Sequence, residues 1–126
     1  MAQQIRSFRD LRSYQNMFSL QQDIFHVTKS WPSEEKYALT NQVRRSSRSV
    51  GSNITEAWAK RRYPSHFVSK LTDADGELQE TSHWLATARA CEYISEGQHN
   101  AFEKRLEEVG NSLGKMISMP EKFVPK

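Results

Sequence analysis

Apolar residues return every three or four positions along most of this chain. Prolines and short polar segments break that rhythm into four blocks. Such spacing lines one face of an α-helix. The first block predicts a helix over residues 7–28. Ser7-Phe8-Arg9-Asp10 has the form of a capping box, and Phe8, Leu11, Tyr14, Phe18 and Phe25 form a stripe widened by Met17 and Ile24. The second helix is expected over 34–61, after the stop at Trp31-Pro32 and the N-cap candidate Ser33. Its stripe is Leu39, Val43, Val50, Ile54 and Ala57, with Ser46 and Ser47 small enough to let a neighbour come close. Gly51 falls in its middle, where a bend or tight packing is expected.

The third helix is expected over 65–91, opened by Pro64-Ser65 and striped by Phe67, Leu71, Ala74, Leu78, Leu85 and Ala88. The fourth is expected over 96–119. Ser95 and Gln98 supply a second capping box, Phe102, Leu106, Val109, Leu113, Met116 and Ile117 the stripe, and Pro120 the stop. No segment alternates apolar and polar residues long enough to read as a strand. Four helices joined by short connections pack antiparallel with their neighbours. The fold class is therefore all-α, an antiparallel up-down-up-down four-helix bundle. The 126 residues are one domain's worth, with a tail over 120–126 expected to be mobile.

Composition narrows the function classes. The single cysteine, Cys91, permits no intrachain disulfide and no multi-cysteine metal site. No apolar run approaches the roughly 20 residues of a membrane helix, and the first residues lack the apolar core of a secretory signal. A cytoplasmic location is expected. The net charge is +3, and it is unevenly spread. Residues 34–62 hold seven Lys/Arg against three Asp/Glu, whereas residues 63–126 hold seven against ten. The first hairpin is basic and the second acidic.

On a helical wheel centred on Val43, Arg44, Arg48, Thr55 and Arg62 fall about 100–140° from the core, with Arg45 further round. A row of guanidinium groups suits bidentate phosphate contacts. Arg44, Arg45, Arg48, Arg61 and Arg62 are accordingly the candidate nucleic-acid contacts. The competing expectation is that they form a solvated face, pair with the acidic second hairpin, or pair with acidic residues of the next subunit such as Glu103, Glu107 and Glu108. Trp58 and Trp84 flank their stripes and are candidates for an oligomer interface.

Enzymatic chemistry finds no residues to carry it. Three acid-x-x-His pairs occur, Asp23-His26, Glu80-His83 and Glu96-His99. That spacing builds di-iron sites in some bundles, but the wheel points Glu80 and His83 away from the core and puts Glu96 and His99 at the bundle's end. There is neither a Gly-x-Ser-x-Gly elbow nor a phosphate-cradling glycine loop. No metal, cofactor or enzyme activity is expected.

Residues 31–57, WPSEEKYALTNQVRRSSRSVGSNITEA, resemble the signature of the four helix bundle protein family. This family includes proteins encoded by intervening sequences in bacterial large-subunit ribosomal RNA genes and the accessory variability determinant of diversity-generating retroelements. Phe8-Arg9-Asp10-Leu11 with Tyr14-Gln15 resembles its opening, and Phe67, Leu71, Ala74, Gly76, Leu78 and Glu80 its third helix. Gly51 and Ala57 depart from a usual proline and glycine, and Asp75 stands where a basic residue is expected. The resemblance implies an antiparallel four-helix bundle in a homo-oligomeric ring, typically of five subunits around a central opening. For retroelement members it also implies nucleic-acid binding and association with a reverse transcriptase. The leading expectation is a non-enzymatic, homo-oligomeric, pentameric bundle that binds RNA or DNA through the basic face of its second helix. The alternative is a protein-interaction scaffold with no nucleic-acid role, its arginines used in subunit contacts.

Overall fold

The computed structural model describes residues 4–126. It holds four long helices and, among the described residues, no strand. They are α1 (Arg12–Thr28), α2 (Asn41–Ala59), α3 (Pro64–Ala90) and α4 (Glu96–Ser118). Each packs on its neighbours in sequence, and α4 closes the bundle against α1. The up-down arrangement expected from the short connections is thus realised.

The start of α1 differs from the expected residue 7. The Ser7 capping box forms, but it caps only a single 3-10 turn, Phe8–Asp10. Asp10 accepts from the backbone amides of Arg6 (2.8 Å) and Ser7 (3.1 Å), which holds its carboxyl below the usual range. Leu11 is extended, and the α-helix begins after it. That break sets the helix phase independently of Phe8. The buried line is Ser13, Met17, Leu20, Ile24 and Thr28. Tyr14 and Phe25 are half-buried and Phe18 is 48% exposed. The stripe read through Tyr14, Phe18 and Phe25 is therefore the edge of the helix and not its core face. Slim aliphatic side chains take the centre, where four helices meet at close range.

Approach to α2 is through a 3-10 turn, Ser33–Glu35, and one wide π turn, Lys36–Thr40. The inward line is Leu39, Val43, Ser46, Ser47, Val50, Gly51, Ile54 and Ala57. The two buried serines serve the close packing expected of them. Ser46 Oγ and Thr81 Oγ1 of α3 lie 2.8 Å apart, a satisfied polar pair at the most extensive contact in the bundle. The helix ends at Ala59, two residues before the expected end, and Pro64 opens α3.

The buried line of α3 is Phe67, Leu71, Ala74, Leu78, Thr81, Leu85 and Ala88, and that of α4 is Phe102, Leu106, Val109, Leu113 and Met116. Between them Glu92 adopts φ 64° and Tyr93 N donates to Ala88 O (2.9 Å), a left-handed cap on the end of α3. The Ser95–Gln98 capping box starts α4 as expected. The tail, expected to be mobile, folds into a 3-10 turn, Pro120–Phe123, and the Phe123 ring stacks on Phe67 at 5.2 Å.

Two predictions follow from this packing. A methyl group built on Gly51 would meet Gln21 at 3.8 Å and Tyr14 at 3.9 Å, both ordinary contacts. Gly51→Ala is expected to raise stability by about 0.4–1 kcal/mol through helix propensity, read as a higher midpoint in urea unfolding. At the other end of the bundle, Tyr93 donates its hydroxyl to Glu35 (2.8 Å). This bond to a carboxylate, with burial second, pushes the Tyr93 phenol from 10.0 up to about 12. Because the folded value is raised, the bond's contribution is complete below about pH 10 and is lost toward pH 12. Alkaline absorbance titration should detect one late phenol, and Glu35→Gln should bring it earlier.

Candidate nucleic-acid interface

With Val43, Ser46 and Ser47 turned inward, residues 44 and 45 must leave α2 on opposite flanks. Arg44 leans toward α1. Its Nε donates to Thr28 Oγ1 (2.8 Å), and Thr28 Oγ1 donates in turn to Phe25 O (2.7 Å). The guanidinium lies over the Phe25 ring at 4.7 Å, and one turn on, Arg48 lies over the same ring at 5.4 Å. Neither arginine has a carboxylate partner among the described residues. Phe25 thus holds two cations in place on the α1–α2 face without neutralising them.

Arg45 is separated from this pair. It reaches across to α3 and bonds Glu77 (3.3 Å) and Glu80. The sequence reading grouped it with Arg44 and Arg48, but the helix phase joins it to the chain's own carboxylates instead. Arg61 stacks on Trp58 at 4.1 Å and donates to the Trp58 carbonyl (3.0 Å), closing the end of α2. Arg62 is exposed just beyond. Lys70 of α3 bonds Glu56 of α2 (2.6 Å); the pairing lowers the Glu56 carboxyl and raises the Lys70 ammonium from their ordinary values. The proposed interface tryptophans, Trp58 and Trp84, are both half-buried against the core, Trp84 beside the His83 ring.

The acid-x-x-His pairs are dispersed. Asp23 bonds Arg105 of α4 (2.7 Å), Glu80 bonds Arg45, and His99 lies 3.4 Å from Glu103. Among the described residues no group of three or more His, Cys, Asp or Glu is gathered as metal ligands would be.

Two features escaped the sequence reading. One is the aromatic edge of α1. Tyr14 and Phe18 are stacked at 6.0 Å and border a trough of about 290 Å³ whose other wall is Arg48, Gly51, Ser52 and Thr55. Two apolar lines roughly 100° apart on one helix were the available signal, since only one can point at a bundle's axis. The other is on the opposite side of the bundle. A groove of about 400 Å³ between α3 and α4 is lined by Asp75, Glu103 and Glu107, with Ser82 donating to Glu103 at 2.9 Å.

The exposed ion pairs of Arg45 set its contribution to stability. Arg45→Ala is expected to cost under about 1 kcal/mol, and the loss should shrink with added salt in chemical unfolding.

The comparisons with known proteins agree with this architecture. The family model described as 23S rRNA-intervening sequence protein matches residues 9–115. A solved structure from Bacteroides thetaiotaomicron VPI-5482, described as a protein with unknown function from the S23 ribosomal protein family, is similar at 27% identity. The match covers 84% of this chain and 95% of that one, with a TM-score of 0.76. No curated protein matches. A helical signature matched over so much of the chain, on the bundle it prescribes, makes this protein a member of the 23S rRNA-intervening sequence protein family.

Proposed function

We propose that this chain is a non-enzymatic, homo-oligomeric bundle that binds RNA or DNA through the face shared by α1 and α2. The observation that carries the reading is the pair Arg44 and Arg48, fixed over Phe25 and, among the described residues, without a carboxylate partner. An arginine held in place while its charge stays unspent is suited to a phosphate oxygen. Arg61 and Arg62 extend the positive field toward the end of α2. Arg45, tied to Glu77 and Glu80, takes a supporting role. The family and its solved relative carry ribosomal RNA and ribosomal protein in their descriptions, which is in keeping with a polyanionic partner. Five subunits is the expected assembly, with Trp58 and Trp84 at subunit contacts. A cytoplasmic setting and a reverse transcriptase as protein partner belong to the same reading. Among the described residues no helix is long and apolar enough to cross a membrane.

A second reading has its own observation. The α3–α4 groove with Asp75, Glu103 and Glu107 lies opposite the arginine face. One copy's basic face can meet the next copy's acidic groove in a head-to-tail contact, which forms a ring when the rotation between copies closes and a filament when it does not. In that case the arginines serve assembly and the protein is a scaffold.

Salt separates the two. In a shift assay with mixed RNA and DNA, Arg44→Ala with Arg48→Ala is expected to weaken binding across all sequences. The log affinity against log salt slope should fall by about 0.7–0.9 for each arginine removed. Absence of binding at low salt, with loss of the oligomer in the same double variant, would establish the scaffold reading instead.

A further inference from the structure

The arginines explain an attraction to phosphate, but not why α1 leaves aromatic rings beside them. Phe18 is 48% exposed, on a surface where a polar residue would cost nothing. Its ring is also held. Phe8 meets Tyr14 edge-on, with centroids 4.9 Å apart and planes at 79°. Tyr14 then lies nearly parallel to Phe18, with planes at 26° and centroids 6.0 Å apart. Three rings in series, anchored at one end by the capped turn Phe8–Asp10, form a rigid support that ends in solvent at Phe18.

Phe25, seven residues on, is already covered by Arg44 and Arg48. It positions the cations, and Phe18 offers the open ring. Beside Phe18 lies the trough, lined also by Tyr14, Gln21, Arg48, Gly51, Ser52 and Thr55, where Gly51 and Ser52 are small enough to leave room for a flat group.

We propose that this trough binds single-stranded nucleic acid, with an unpaired base stacked on Phe18 and its phosphates on Arg48 and Arg44. The proposal rests on the nucleic-acid reading above and adds the substrate class. A duplex keeps its base faces inside its own stack and presents mainly phosphate to such a surface, so it gains nothing from Phe18. An unpaired strand presents both a π face and a charge, and a cationic groove beside an aromatic platform recognises that combination without regard to sequence.

The experiment uses the full chain and three fluorescent probes of equal length: a polyuridine strand, an RNA duplex, and a strand with the same phosphates but no bases. The polyuridine strand is expected to bind about tenfold tighter than the baseless strand. Phe18→Ala should abolish that advantage while leaving baseless-strand and duplex binding unchanged, and Phe18→Tyr should retain it. Equal affinity for the polyuridine and baseless strands, or an advantage that survives Phe18→Ala, would overturn the stacking proposal and leave phosphate binding intact. If none of the three probes binds at low salt, the nucleic-acid reading itself fails. If Phe18→Ala changes the oligomer's mass but not the base advantage, Phe18 belongs to a subunit contact and the proposal is likewise overturned.

Discussion

The rotational setting of α2 governs the rest of this molecule. Val43, Ser46, Ser47, Val50, Ile54 and Ala57 must all point between α1 and α3, because a helix of this period has only one line that can be buried there. Once that line is in place, neighbouring arginines cannot share a destination. Arg44 and Arg48 emerge against α1 and Arg45 against α3. The division between a guanidinium available to a partner and one neutralised internally is therefore decided by packing. The local sequence Arg44-Arg45 contains nothing that distinguishes the two.

The buried hydroxyls and surface charges reinforce that setting. Ser46 and Thr81 bring α2 and α3 together with their hydroxyls mutually satisfied, so close approach is reached without an orphaned polar group. Around this contact, Arg45 with Glu77 and Glu80, and Lys70 with Glu56, bridge the same two helices at the surface. Exposed ion pairs add little stability. Their larger effect is on the field: cations that face α3 are cancelled, and those that face α1 are not. The basic first hairpin is thereby concentrated into one face, while Asp75, Glu103 and Glu107 give the opposite side the other sign.

Much of the bundle was legible from apolar spacing. The lines of α3 and α4 agree with the expected stripes at Phe67, Leu71, Leu78, Leu85, Phe102, Leu106 and Leu113, because long uninterrupted helices keep one phase. The first helix was harder to read. An extended Leu11 separates the capped turn from α1, so counting onward from Phe8 carries the wrong phase into Tyr14 and Phe18. Aromatic residues on the edge of a core also look like core in any hydropathy pattern. The wheel did place Arg45 further round than Arg44 and Arg48, but sequence offers no account of what waits there. Glu77 and Glu80 are more than thirty residues away, and only the α2–α3 contact brings them within reach.

Arg44 carries one further consequence of the fold. Its Nε is engaged by Thr28 and its plane rests on Phe25, so this long side chain gives up most of its rotamer freedom when the protein folds. That entropy, which for a free arginine is of the order of 2 kcal/mol, is not charged a second time when an anion arrives. The fork is already set, and an incoming oxyanion meets a fixed target where a freely moving lysine would first have to be brought to rest.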